Sequence, residues 1–304
     1  MTPTTAERAL RFDREHSRSL RALAYRMLGS RAEAEDIVQD AWLRWAEVDE
    51  GSVEHAGAFL SRLVTNLCLD RLGSAARKRE HYVGVWLPEP LLDEYAGWSP
   101  GPEVRAEFAQ DVSVAFMLAL ERLSPLERAA FLLHDVFDLD FDEVARRLDR
   151  TPAACRQLAS RARQHVKAGY ARHEVEEEER VRLFEAFSEA VRNFDVDALA
   201  RVLAEDAVML ADGGGKVSAI TRPLHGGAVV ARTFIGFARL PGSRWRLEHA
   251  RINGLPGCLV RDAVTGELVQ TIALAPSATA PGRIGALYIQ RNPDKLAGVV
   301  ASRR

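Results

Sequence analysis

The stretch that most restricts the fold is FDEVARRLDRTPAACRQLASRARQHVK, residues 141–167. Phe141, Val144, Ala145 and Leu148 fall at i, i+3, i+4 and i+7, the apolar stripe of an amphipathic helix. Asp149 and Arg150 interrupt that stripe. Thr151 and Pro152 then start a second helix, a capping hydroxyl followed by a proline at the first helical position, where its missing N–H does no harm. In that helix Ala154, Leu158, Ala162 and Val166 recur as the expected packing face, with Cys155 and Ala159 beside them. The opposite side carries Arg156, Ser160, Arg163 and Lys167, flanked by Gln157, Arg161 and Gln164. Arg and Gln suit base edges, while Arg and Lys neutralise phosphates. Two helices across a three-residue turn, the second with a basic face, form the helix-turn-helix arrangement. On pattern alone, a helical hairpin with a solvated basic face remains the alternative. Asp149 also stands where many such motifs carry glycine.

The rest of the chain sets this motif in a larger frame. Its 304 residues suggest about two domains. Residues 8–80 read as helix throughout, and residues 81–110 carry the prolines and glycines of a linker. Helical periodicity returns over 111–172, and an acidic run, Glu174 to Glu179, marks a second junction. Beyond it, helices are expected over 181–193 and 196–204. Short strand-like runs follow in WRLEHARI, GCLVRD, ELVQTIAL and RIGALYIQ. Helices followed by strands imply an α+β domain distinct from the helical first half.

Composition excludes several classes. No run approaches the roughly 18 apolar residues of a membrane span, and the polar N-terminus lacks the apolar core of a secretory signal. Cys68, Cys155 and Cys258 are dispersed and odd in number, which argues against a disulfide framework or a Cys-rich metal site and suits a reducing cytoplasm. A net charge of −2 carries no bulk nucleic-acid signal, so any DNA contact must come from local basic faces.

Upstream, SRAEAEDIVQDAWLRW opens with a capping box, Ser30 and Glu33. Ile37, Val38, Ala41, Trp42 and Trp45 form its buried stripe, and Asp36, Gln39 and Asp40 share the other side. FLSRLVTNLCLDRLGSAARKRE follows, with Arg62, Asn66 and Asp70 facing away from its apolar stripe. These segments, a linker, and LERLSPLERAAFLLHDVFDLDFDEVARRLDRTPAACRQLASRARQHV come in the order that resembles the extracytoplasmic-function sigma factors of bacterial RNA polymerase, over about residues 8–170. The resemblance implies sigma region 2 at 8–80, a linker at 81–110 and region 4 at 111–172, with no region 3 between. It implies that Asp36, Gln39 and Asp40 dock on the clamp helices of the polymerase β′ subunit, with further core contacts from region 4. Arg62, Asn66, Asp70 and Arg71, with the cluster Arg77, Lys78 and Arg79, would melt and read the −10 promoter element. Arg156, Gln157, Ser160, Arg161, Arg163, Gln164 and Lys167 would read the −35 element.

Residues 176–304 resemble a SnoaL-like domain of the NTF2-like cone fold, and three landmarks are similar to the sigma subgroup that carries one. They are WLPEP (Trp86, Leu87 and Pro88 among its residues), DGGGK (Asp212, Gly213, Gly214, Gly215, Lys216) and NPDKL (Asn292, Pro293, Asp294, Lys295, Leu296). The resemblance implies two all-α sigma modules followed by an α+β regulatory domain that contacts the sigma modules and the linker in cis, without cofactor, metal or membrane. The linker packing on its own domain is the alternative for Trp86 and Leu87. Two other functions stand beside the leading one: a DNA-binding regulator that senses a small ligand of unidentified class in the cone, and a tethered enzyme. For the latter, Asp206, Asp212, His225, Arg232 and His249 are the catalytic candidates, although their spacing does not assemble them. DGGGK is not a P-loop, because its glycines are contiguous and Val217 occupies the Ser/Thr position. It reads as a turn that contacts the linker or a sigma module, or as an exposed hairpin loop.

Overall fold

The computed structural model describes residues 5–79, 82–92, 112–169, 177–240 and 244–301. The chain divides into two compact units, one of residues 1–81 and 115–170, the other of residues 82–114 and 171–304.

The first unit is all helix. Helices α1 (Thr5–Phe12) and α2 (Arg18–Leu28) run on through a widened π-helical stretch, Asp13–Ser17. Gly29, with a φ of 70° and an N–H bond to the Tyr25 carbonyl (2.7 Å), ends α2 in a left-handed cap just before the expected helix start at Ser30. Ser30 starts α3 (Arg31–Glu47) by accepting from the Glu33 N–H at 3.2 Å. A second break follows α3. There Arg8 reaches across to the carbonyls of Trp45 (2.8 Å), Ala46 (3.1 Å) and Val48 (3.0 Å), the acceptors a helix C-terminus leaves open. Helix α4 (Ala56–Arg79) completes this module, with Leu60, Val64 and Cys68 wholly buried.

The second helical module begins with α5 (Val114–Glu121) and α6 (Pro125–Phe131), the latter opened by a complete Ser124/Glu127 capping box. Helices α7 (Phe141–Leu148) and α8 (Pro152–Gly169) are the expected helix pair. Asp149 takes the left-handed conformation (φ 53°) that glycine occupies in many such turns, and its N–H bonds to the Ala145 carbonyl. Thr151 caps α8 through the Ala154 N–H at 3.2 Å. The buried stripe of α8 is Cys155, Ala159, Ala162 and Val166, while Ala154 and Leu158 are half-buried. The packing face is thus rotated from the expected i+4 row, because a 3.6-residue period alternates steps of three and four.

Within this unit the two modules pack together through α6 and α7 against α2 and α4. The Arg128 guanidinium of α6, 3% exposed, donates to the Met27 carbonyl at the end of α2 (2.5 Å) and pairs with Glu121 (2.7 Å). Arg26 lies over the Phe137 ring at 5.3 Å.

The second unit is α+β. Helices α9 (Glu177–Arg192) and α10 (Val196–Val202) lead into β1 (Leu203–Asp212), β2 (Leu224–His225) and α11 (Gly227–Ala238). Strands β3 (Trp245–Ile252), β4 (Leu255–Asp262), β5 (Leu268–Pro276) and β6 (Ile284–Gln290) follow, and α12 (Pro293–Ala301) closes the order. The sheet runs β2-β1-β6-β5-β4-β3, with β1 and β6 parallel and the other pairs antiparallel. Strand alternation sends Cys258, Val260, Ile272, Leu274, Leu287 and Ile289 into a core with Leu183, Phe187, Val230 and Phe234 of the helices. Leu259, Ala273 and Tyr288, between them, are also buried, on the opposite face. This is the expected order of helices followed by a sheet. The first helix of this unit, α9, begins earlier in sequence than expected for 181–193, and the strand β1 takes over from α10 at Leu203.

Replacing Arg128 by Met keeps the stem but strips a donor from a buried carbonyl and from Glu121. Chemical denaturation is expected to show a loss of about 2–4 kcal/mol.

Candidate nucleic-acid interface and linker lock

Three exposed helix faces carry the residues the sequence singled out. On α3, Asp36, Gln39 and Asp40 are all exposed, opposite buried Ile37, Val38 and Ala41. On α4, Arg62, Asn66 and Asp70 are exposed, and half-buried Arg71 faces Glu33 at 3.5 Å. The side chains of Arg77, Lys78 and Arg79, at the end of α4, lie outside the described residues.

On α8, Arg156, Gln157, Ser160, Arg161, Arg163, Gln164 and Lys167 all face solvent. Three of its cations are already oriented by their own module. Arg161 pairs with Glu127 at 2.9 Å, Arg163 pairs with Asp135, and Arg156 lies over the Phe141 ring at 5.8 Å. These ion pairs are exposed and cost little to exchange for phosphate.

The linker and C-terminal landmarks converge on one carboxylate. Asp212 ends β1, has no exposed surface, and faces Gln290 at the end of the parallel neighbour β6. Its Oδ1 accepts from the Tyr82 hydroxyl (2.6 Å) and the Gly214 N–H (2.9 Å). Its Oδ2 accepts from the Leu87 N–H (2.9 Å), the Lys295 ammonium (2.7 Å) and the Gln290 amide (3.3 Å). Lys295 also donates to the Leu87 carbonyl (2.5 Å) and sits 4.5 Å from the Trp86 ring centre and 5.1 Å from that of Tyr82, in cation–π range. Gln290 donates to the Pro88 carbonyl at 3.3 Å.

NPDKL contributes twice more. Asn292 donates to the Tyr82 hydroxyl (3.1 Å) and accepts from the Asp294 N–H (3.1 Å), which starts α12. Asp294 forms an exposed ion pair with Lys216 of DGGGK, at 2.6 Å. Pro293 is exposed, and Leu296 is buried at 5%.

The glycines are explained by this packing. A Cβ on Gly214 (φ 63°) would stand 2.3 Å from the Asn292 side chain, and one on Gly215 (φ 70°) 3.1 Å from Val83. DGGGK is therefore a close-packed turn against the linker. The expected contact with the linker is present, but Asp212 makes it from a buried position beneath the turn, because the strand end turns its side chain towards the linker.

The catalytic candidates are not brought together. Asp206 accepts from Thr279, His249 meets the Phe184 ring edge, and His225 and Arg232 are exposed. Between the sheet and α11, a partly open cleft lined by Met209, Phe234, Phe237, Trp245, Gln270 and Arg291 has a volume of about 30 Å³. That is room for a water. No group of His, Cys, Asp and Glu among the described residues is arranged to hold a metal, and no helix there is long and apolar enough to cross a membrane.

Sequence reading missed Tyr82 and Gln290, which supply two of the donors to Asp212. Neither lies within a landmark motif. Only the parallel pairing of β1 with β6 brings Gln290 beside Asp212.

These features define a helix-turn-helix DNA-binding protein with a fused α+β domain. The family profiles described as Sigma-70 region 2 and Sigma-70, region 4 match residues 12–78 and 113–166. The chain is 38% identical over 290 residues to the ECF RNA polymerase sigma factor SigJ of Mycobacterium tuberculosis, covering 92% of this chain and 90% of that protein. It is 33% identical over 198 residues to the probable ECF RNA polymerase sigma factor SigI of the same species, covering 62% and 65%. The crystal structure of M. tuberculosis SigJ matches with a TM-score of 0.73 at 33% identity, covering 96% of this chain and 98% of that one. The chain belongs to the extracytoplasmic-function sigma factors, which direct RNA polymerase to promoters.

Two measurements probe the lock. Asp212→Asn leaves the Lys295 ammonium without its buried counter-charge, and the docked state of residues 82–92 is expected to lose about 3–5 kcal/mol, read by hydrogen exchange. Burial, and then the hydrogen bond to Asp212, raise the Tyr82 hydroxyl above the ordinary tyrosine range. The neutral phenol is therefore the docked form. Its contribution should be intact below about pH 10 and fall as alkali ionises it, and Tyr82→Phe should abolish that alkaline dependence.

Proposed function

We propose that the C-terminal domain governs this sigma factor in cis by holding the linker between regions 2 and 4. The observation that carries the reading is the Asp212 carboxylate, which binds the Tyr82 hydroxyl, the Leu87 amide and the Lys295 ammonium at once. WLPEP, DGGGK and NPDKL thereby act as one regulatory contact, made of Trp86, Leu87, Pro88, residues 212–216 and residues 292–296. A tethered domain meets its partner segment at roughly millimolar local concentration, so a modest contact suffices to hold one arrangement.

In this reading Asp36, Gln39 and Asp40 of the region-2 module meet the β′ clamp helices of core RNA polymerase. Arg62, Asn66, Asp70 and Arg71, with Arg77, Lys78 and Arg79, open and read the −10 element, where a melted strand needs polar groups for bases and cations for phosphates. The exposed face of α8 reads the −35 element in the major groove. The protein works in the cytoplasm, without a cofactor.

The test compares three forms in core-polymerase pull-down and promoter-dependent transcription: full length, ending at Arg172, and ending before Asn292. All three should bind core, and the two shortened forms should differ from full length in transcript yield by roughly tenfold. Asp212→Ala with Lys216→Ala should shift yield in the same direction. Equal yield from every form would overturn control by the C-terminal domain, and failure to bind core would overturn the polymerase contact.

A further inference from the structure

A second grip on the linker, independent of Asp212, lies at the opposite end of the sheet. Strands β3 and β4 are joined by a two-residue turn, Asn253-Gly254, with Ile252 paired to Leu255. Both turn residues have positive φ, 51° and 72°, the geometry that Asn-Gly favours in a tight hairpin. Asn253 is 1% exposed, which is unusual for a hairpin tip. Its backbone N–H donates to the Leu91 carbonyl (2.7 Å), and its Oδ1 accepts from the Leu91 N–H (3.1 Å). Its Nδ2 donates to the Val112 carbonyl at 2.8 Å. Leu91, Leu92 and Val112 are all buried, and Leu92 forms a bridge with Ile252.

One side chain therefore holds the linker where it leaves and again where it returns. Helix α5, the first of region 4, begins at Val114, directly after the second grip. On the other side, α4 of region 2 ends at Arg79, just before docked Tyr82. The roughly 20 residues between Leu91 and Val112, worth up to about 70 Å of extended chain, are thereby bypassed as tether. We propose that Asn253 is a positioning residue: its amide clasps both ends of this stretch and so sets how far region 4 can reach from the rest of the protein on promoter DNA. This deepens the linker-docking reading and rests on it. The Asp212 lock limits the tether of region 2, and the Asn253 clasp limits that of region 4.

Reconstituted holoenzyme on templates that differ only in the number of base pairs between the two promoter elements gives the test. Each base pair moves the −35 element by about 3.4 Å, a step that a released tether absorbs and a clasped one does not. Asn253→Gly keeps the positive-φ turn and the backbone bond to Leu91 but removes both side-chain bonds. Wild type should show one sharp spacing optimum, and N253G should hold output within about threefold across neighbouring spacings. A second variant leaves Asn253 intact and carries a short Gly-Ser insertion after Val112. With the clasp closed, the insertion lengthens the tether between Val112 and α5 and should broaden the profile as well.

An unchanged profile from both variants overturns the inference, because a linker that is already free gains nothing from either change. If N253G fails to fold, as judged by its thermal transition, the insertion variant alone decides in the same two ways. Asp212→Asn in the same series separates the two readings. An effect of D212N with none from the other two removes only the clasp, while no effect from any of the three removes linker docking itself.

Discussion

A carboxylate with no exposed surface has to be neutralised by its neighbours, and the second unit is arranged around that requirement at Asp212. Five donors surround it, drawn from the linker, the following turn, the end of β6 and the start of α12. Burying an unpaired charge costs several kcal/mol, so each donor is held in place by the penalty its loss would incur. The ammonium of Lys295 is itself sandwiched between aromatic faces of the linker, which shields the pair from water and strengthens it. Three motifs far apart in sequence are thus one physical object. The contiguous glycines serve the same object, since side chains there would separate Asn292 and Val83 from the turn.

A related device recurs in the helical unit, where guanidinium groups occupy the open carbonyls at helix ends. Arg8 covers the end of α3, and Arg128 reaches the end of α2 from the other module. A helix C-terminus offers unsatisfied acceptors and a partial negative charge. A buried Arg that meets it fixes the angle at which one helix approaches another. The contact made by Arg128 joins regions 2 and 4 through a polar bond that is specific in geometry, alongside the apolar packing of α6 and α7.

Much of the local structure was legible in the residues. The stripe of Phe141, Val144, Ala145 and Leu148, the break at Asp149 and the cap at Thr151 state two helices and a turn without reference to the rest of the chain. The strands WRLEHARI, GCLVRD, ELVQTIAL and RIGALYIQ declare themselves by β-branched content between turn residues, and all four form. The outward faces of α3, α4 and α8 follow from period alone, because a helix with one apolar stripe must turn its polar side to solvent. The rotation of the α8 packing row was not legible, since Ala, Leu and Cys at adjacent positions satisfy more than one stripe.

The sequence by itself determined the order of the modules, the helix-turn-helix and the presence of WLPEP, DGGGK and NPDKL, because local propensity and periodicity depend only on near neighbours. It could not reveal that Asp212 is buried, that Tyr82 and Gln290 complete its shell, or that Asn253 holds Leu91 and Val112 together. Those depend on β1 pairing in parallel with β6 and on the linker returning to the β3–β4 turn. Such contacts join residues far apart along the chain, and no local pattern encodes which distant backbone amide a side chain will meet. Tertiary structure therefore decided which charges became interior locks and which remained exposed to solvent.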